Sequence, residues 1–222
     1  MRVVIDNADL IWIGLKMAVI ALAIGCVIGL VCAFIRASGN RWASIPVTIY
    51  VEIIRNIPLL LIVFLFYFGL PQAFPRGSTA RDWTLRLLPD AERTFIVALA
   101  IYAGAYLTEI FTAGILSVGG RYLDAGRSLG LTRLELARYV TAPIMLRAVL
   151  PSLSNTFISL FKDTSIAVAI ATPELTMAAR KISTNYFRVI EAWLTAGALY
   201  LVTSYAIALS LRFLERRIKW SV

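Results

Sequence analysis

At 222 residues, 59% of them apolar and 16% charged, with a mean hydropathy of +0.79, the chain has too little polarity to cover a water-soluble surface and reads as an integral membrane protein. The absence of histidine removes the commonest metal ligand and general base, and no metal is expected. The net charge of +9 comes from basic residues scattered between apolar segments, not gathered on a soluble face with interleaved aromatics, which excludes nucleic acid as a partner.

The first predicted span covers 10–35, at roughly 20 residues per crossing. It is too long for a signal-peptide core and follows Asp6 and Asp9. Lys16 lies near its start, where it can snorkel to the interface, and Cys26 and Cys32 are about 9 Å apart along a helix, too far to bridge. After a polar turn at 36–41, the second span, 46–70, carries Glu52 and Arg55 in its first half and a proline, Pro58, that should kink it. A polar connection over 72–93 leads to the third span, 94–118, interrupted by Glu109. Residues 119–147 form a polar interval, and the fourth span, 149–171, holds Lys162 and Asp163. A mixed segment at 173–190 precedes the fifth span, 191–211, and a basic tail occupies 213–222. Five spans put the termini on opposite sides. One side collects eleven basic residues and the other eight, so the positive-inside bias assigns the C-terminus and the 119–147 interval to the cytoplasm.

Ionisable groups inside a bilayer cost a few kcal/mol each (about 3) and normally face protein or water. Glu52 and Arg55, three apart, can pair along one helix; Glu109 can neutralise Lys162 between helices. Lys162 and Asp163 diverge by about 100° around a helix, so they share one site only if the helix breaks or a cavity is present. The alternative to mutual neutralisation is a mid-membrane cavity for a small charged or zwitterionic solute. Asp163 would draw an ammonium and Lys162 or Arg55 a carboxylate, with Glu52, Glu109, Asn155 and Ser165 along the pathway. No zinc pattern, activated nucleophile or phosphate-binding loop occurs, so no catalytic residues are expected.

The interval Asp124 to Pro143, DAGRSLGLTRLELARYVTAP, switches from continuously apolar to amphipathic. Leu129, Leu131, Leu134, Leu136 and Val140 recur near helical spacing against Arg127, Arg133, Glu135 and Arg138. Thr132 and Glu135 have the spacing of a capping box, predicting a helix from Arg133. Such a helix either lies on the lipid surface or is presented to a cytoplasmic protein. Its register resembles the EAA loop of binding-protein-dependent ABC importer permeases: Asp124-Ala125-Gly126, three residues, Gly130, nine residues, then Val140-Thr141-Ala142-Pro143. Asp replaces Glu and Gly replaces the second Ala, with the spacing kept. VEIIRNIPLLLIVFLFYFGLP (51–71), GAYLTEIFTAGILSV (104–118), LPSLSNTFISLFKDTSIAVAI (150–170) and the FLERR tail resemble the polar amino-acid, histidine/glutamine permease type. Ile57, Ile62 and Thr112-Ala113 depart from its usual Thr, Gln and Arg-Gly, which leaves the solute open.

The resemblance implies an all-α integral membrane fold of five transmembrane helices, the transmembrane domain of a type I ABC importer over 11–212, with a cytoplasmic coupling helix. It implies a permease subunit in the bacterial inner membrane, N-terminus outside and C-terminus in the cytoplasm, importing an amino acid or similar zwitterion by alternating access. ATP and Mg²⁺ would bind a separate ABC ATPase pair. The further partners implied are a second permease subunit, identical or homologous, an extracytoplasmic solute-binding protein and membrane lipid. Asp124, Ala125, Gly126 and Gly130 would form the coupling elbow, Leu129 and Leu134 the docked face, and Pro143 the motif's end. A secondary transporter or channel not coupled to ATP is the rival reading; it accounts for buried charge but not for the loop.

Overall fold

The computed structural model describes residues 9–88 and 90–219, and among these all regular structure is helical. Arg2, Pro89 and the last three residues of the basic tail lie outside the described residues. Four helical stretches, Leu10–Ala37, Ala91–Leu116, Arg133–Ile170 and Val189–Arg217, are long and apolar enough to cross a membrane. The expected second span is a broken pair, Arg41–Asn56 and Leu59–Ala73, bent by 107°.

Helix α1 (Leu10–Ala37) is apolar all round, and its small residues select the packed face. Ala18, Ala21, Gly25, Gly29 and Ala33 lie against the central helix α6 (Ala91–Leu116). A Cβ on Gly29 would sit 2.7 Å from Leu107 Cβ and 3.0 Å from Thr108 N, so backbone contact here requires glycine. Lipid gives no hydrophobic drive between helices, and close backbone approach supplies the dispersion that replaces it.

Helix α2 (Arg41–Asn56) starts at Asn40, whose side chain accepts from Trp42 N and Ala43 N. It stops because Pro58 forces the residue before it out of the helical region; Ile57 is extended at φ −99°, ψ 132°. Helix α3 (Leu59–Phe64) leaves in the new direction, passes through a π turn (Leu65–Gly69) and ends in α4 (Leu70–Ala73). The polar connection contains a short helix, α5 (Thr79–Leu87), capped by Ser78. Asp90 caps α6, which buries most of its surface against α1, α2, α3 and the fourth span.

Beyond α6 come α7 (Gly120–Ser128) and α8 (Arg133–Leu136). Through a π turn (Ala137–Thr141), α8 runs directly into α9 (Ala142–Asp163), so the helix that carries the fourth span begins well before residue 149. It tightens into a 3-10 segment (Thr164–Ile170) and ends at Ala171, which is left-handed at φ 57°. The mixed segment forms α10 (Leu175–Tyr186), and α11 (Val189–Lys219) takes in the fifth span and much of the basic tail. Met17, Leu59, Phe95, Leu99, Leu107 and Phe161 anchor the main core. A second cluster, Leu175, Ala179, Ile182, Ala192 and Ala196, joins α10 to α11.

Candidate functional site

The loop at the end of α6 is built by a helix C-cap. Gly130 N donates to Arg127 O at 2.9 Å and Leu131 N to Gly126 O at 3.2 Å, the two bonds of a Schellman turn. The reversal needs a left-handed residue, and Gly130 supplies it at φ 77°. The next helix opens with the expected capping box: Glu135 N donates to Thr132 Oγ1, and Thr132 N donates to Glu135 Oε2 at 2.8 Å. Thr132 Oγ1 also donates to Glu135 Oε2 at 2.7 Å, and this bond, with the one from Thr132 N, favours the ionised carboxylate and lowers the Glu135 pKa.

The loop's leucines separate by role. Leu136 is buried, and Leu131, Leu136 and Val140 surround Gly126, where a Cβ would run into Leu136 Cδ1. Leu129 and Leu134 are 81% and 78% exposed, two large apolar side chains left uncovered by the described residues. Ala125 is exposed, and Asp124 is exposed with only an Arg127 partner at 3.0 Å. The separate short helix of this loop is therefore α7, which carries Asp124-Ala125-Gly126; the helix expected from Arg133 forms and continues into the fourth span. Pro143 lies just past the π turn (Ala137–Thr141), where the helix already departs from the regular ladder that a missing N–H interrupts.

The intramembrane charges pair differently from the expectation. Glu109 Oε1 accepts from Arg36 Nη1 at 2.7 Å and has Arg55 Nη1 at 3.6 Å, tying together α1, α2 and α6. Arg55 also stands over the Tyr106 ring, 5.3 Å from its centroid. Glu109 therefore does not neutralise Lys162, and Arg55 does not pair with Glu52, which is exposed and approached only by Asn56 of its own helix. Lys16 also finds a carboxylate, Glu92 at 2.8 Å.

Asp163 is the exception. Among the described residues no basic group comes within ion-pair distance of it, while Lys162 is exposed one position earlier on the helix. Asp163 lines a cavity of about 260 Å³ with Tyr102, Tyr106, Asn155, Thr156 and Ser159. Next along the same α6–α9 seam lies an open groove of about 450 Å³ lined by Glu109, Ala113, Gly114, Ser117, Val149 and Ser152. Tyr102, Tyr106, Glu109, Ala113 and Ser117 descend α6 at helical spacing, and Asp163, Ser159, Asn155, Ser152 and Ala148 ascend α9 opposite them. The two spaces lie one after the other along this seam, a track of lining residues about 22 Å long from Asp163 toward the Asp124–Gly130 loop. Ser165 sits on the 3-10 segment outside this lining, and Lys162 and Glu52 are not part of it.

Sequence reasoning missed Tyr102 and Tyr106, whose i, i+4 spacing among alanines and glycine was the available signal. It also missed Glu174, fully buried at the start of α10.

The chain matches the model of one family, the binding-protein-dependent transport system inner membrane components, over residues 25–220. It belongs to that family. It is the permease subunit of an ABC transporter, a multi-pass inner-membrane component that is not itself an enzyme, and ATP hydrolysis belongs to a separate ABC subunit. The permease is 37% identical over 205 residues to the glutamine transport system permease protein GlnP of Escherichia coli (strain K12), covering 92% of this chain and 89% of that protein. It is 34% identical over 203 residues to the octopine transport system permease protein OccM of Rhizobium radiobacter, covering 91% and 82%. Among solved structures, an amino acid ABC transporter crystallised with histidines superposes at a TM-score of 0.81 with 31% identity, covering 97% of this chain and 94% of that one. The inward-facing MetNI methionine ABC transporter shares the fold at a TM-score of 0.76 and 18% identity. Membership sets aside a carrier or channel uncoupled from ATP. The family also implies an ATPase and a solute-binding partner for the permease.

Proposed function

We propose that this permease imports a free amino acid or a compact zwitterion, with Asp163 holding its ammonium group in the α6–α9 cavity. The observation that carries this is a partly buried carboxylate with no basic partner, beside two tyrosine rings and the amide and hydroxyls of Asn155, Thr156 and Ser159. An uncompensated charge in that position is costly unless an ion or dipole completes it, and tyrosine faces favour a cation. Arg55, stacked on Tyr106 and shared with Glu109, is the arginine available to the carboxylate end. Relatives named for glutamine and octopine support an amino-acid-sized solute.

The N-terminus lies outside and the C-terminus in the cytoplasm, which puts the Asp124–Gly130 loop on the side of the ATPase pair that binds ATP and Mg²⁺. Leu129 and Leu134 seat on that ATPase. An extracytoplasmic solute-binding protein delivers to the opposite end, and a second permease subunit, identical or homologous, closes the open side of the track. ATP-driven closure moves the loop, and the spans rock between two states.

The test is Asp163→Asn in proteoliposomes containing both permease subunits, the ATPase pair and the solute-binding protein, with labelled glutamine, arginine and histidine as probes. Uptake of the transported probe should fall at least tenfold, with assembly and ATP affinity retained. Unchanged uptake would remove Asp163 from the solute site.

A further inference from the structure

The end of the permease opposite the Asp124–Gly130 loop has its own buried polar network. Glu174 is completely buried. Its Oε1 accepts from Met177 N at 2.9 Å, and its Oε2 accepts from Thr176 N and from Tyr200 Oη, both at 2.8 Å. The carboxylate thus fastens the first turn of α10 to the middle of α11. The Tyr200 ring continues the connection, lying 5.5 Å from the ring of Phe161, two residues before Asp163. Thr176 Oγ1, 3.3 Å from Tyr200 Oη, completes the cluster.

Among the described residues, the non-glycine positions with positive φ are Ala171 at 57° and Phe187 at 55°, and they bracket α10. A side chain in the left-handed region costs about 1–2 kcal/mol and persists only where the surroundings over-determine it. The hydroxyl of Thr172, buried beside the first of these positions, has no partner among the described residues. Beneath α10 is a space of about 180 Å³ bounded by Leu10, Glu174, Met177, Lys181, Ile182 and Asn185. A helix with a left-handed joint at each end, an unmet hydroxyl at one joint, space beneath it and one buried polar anchor beside its apolar contacts with α11 can shift on α11 once that polar anchor lets go.

We propose that α10 is a hinged cap latched by the Glu174–Tyr200 hydrogen bond, and that Glu174 is a positioning residue setting the helix end that carries Asp163. The latch depends on an acceptor at position 174 and a donor at position 200. Net charge on the carboxyl is not required. Solute contact at Asp163 belongs to the function proposed above; movement of α10 is measured separately, so either can fail without the other.

The experiment places spin labels at Arg93→Cys and Arg180→Cys, both exposed, in a Cys26→Ala, Cys32→Ala background of the whole transporter in nanodiscs. Inter-label distances are recorded without nucleotide and with ATP plus vanadate. The parent protein should give one distance without nucleotide and a second on trapping. Tyr200→Phe, which keeps the ring on Phe161 and removes the hydroxyl that donates to Glu174 and accepts the longer bond from Thr176, should raise the second population about tenfold without nucleotide, as expected chiefly for losing one hydrogen bond to a carboxylate. Glu174→Leu should do the same, and Glu174→Gln should restore the parent distribution. Distances unaltered by Tyr200→Phe and Glu174→Leu, or unaltered by nucleotide trapping, overturn the latch. Failure of Tyr200→Phe to assemble also overturns it, because the network would then be a brace for folding.

Discussion

Gly126→Ala is the sharpest probe of how the loop is built. The added methyl would run into Leu136 Cδ1, with Leu131 Cδ1 at 3.4 Å and Val140 Cγ2 at 3.5 Å closing the other sides. Leu136 is 9% exposed and has little room to withdraw, so the site is overpacked. Overpacking of this kind costs about 1–3 kcal/mol. The strain falls on the contact between α7 and the first turns of the fourth span, because Gly126 lies on one side and Leu136 on the other. If that contact sets the geometry the ATPase receives, affinity for the ATPase should fall roughly 5- to 150-fold. A comparison with Gly130 isolates the cause. Nothing lies within 4 Å of a Cβ there, but φ is 77°, so Gly130→Ala carries only backbone strain of about 1–2 kcal/mol, and Gly130→Asn, which tolerates the left-handed region, carries less. Binding of purified ATPase to permease in nanodiscs should rank parent, Gly130→Asn, Gly130→Ala, then Gly126→Ala or a near tie of the last two. Gly126→Ala with unchanged ATPase binding and unchanged uptake would refute the packing argument.

Three further outcomes follow from the charges. Glu109→Gln leaves Arg36 and Arg55 facing each other without a carboxylate; with Glu109 37% exposed, screening holds the loss to about 1–2 kcal/mol, seen as a lower melting temperature in detergent that Arg36→Ala partly restores. The Glu135 pKa is lowered by its bonds to Thr132, so its capping contribution is present above the ordinary value of 4.5 and is lost as pH falls through the folded-state value. Glu135→Gln should flatten that acid limb, as read by hydrogen exchange at Leu136 and Ala137. Glu174 shifts the other way, because burial outweighs the bonds it accepts and raises its pKa. Its folded form favours the proton, so its contribution is fully present below the ordinary 4.5 and is lost as pH rises through the raised value. The melting temperature of Glu174→Gln relative to the parent should therefore be more favourable at pH 7.5 than at pH 4, and an equal difference at both would contradict the assignment.

The spans, the capping box at Thr132 and the turn at Gly130 were legible because each is written in local chemistry: hydropathy, a cap spacing and a glycine. Pro58 announced a break, but the 107° angle depends on where Leu59, Ile62 and Val63 find a core, which is a tertiary matter. The helix that carries the fourth span reaches back to Arg133, a continuity that Arg133, Glu135, Arg138 and Arg147 mask behind polarity. Pairing was the least legible. Glu52–Arg55 satisfied the short-range rule, yet Arg55 turned to Glu109, and Arg36, read as part of a polar turn, supplied the shortest ion pair in that cluster. Glu174 sat in a segment read as mixed; an acid just ahead of Leu175 has the position of an N-cap, but nothing local foretells a tyrosine 26 positions later as its partner.

The distribution of charge separates scaffold from site. Lys16–Glu92 and Arg36–Glu109–Arg55 lie near the two ends of α6, each joining helices that the small-residue packing already brings together. In both, the carboxylate is answered by a cation from another helix, and the cost of taking it from water is offset within the chain. Between them, where the seam of α6 and α9 opens into a cavity, Asp163 has no such answer, although Lys162 is its immediate neighbour. Had neutralisation been the purpose of the Lys162–Asp163 pair, a spacing of three or four would have placed both on one face. Adjacent positions send the lysine outward and leave the carboxylate facing the track. A fixed pair at the ends and an unfilled carboxylate between them is the pattern expected of a scaffold that must hold its shape while one group stays free to exchange partners.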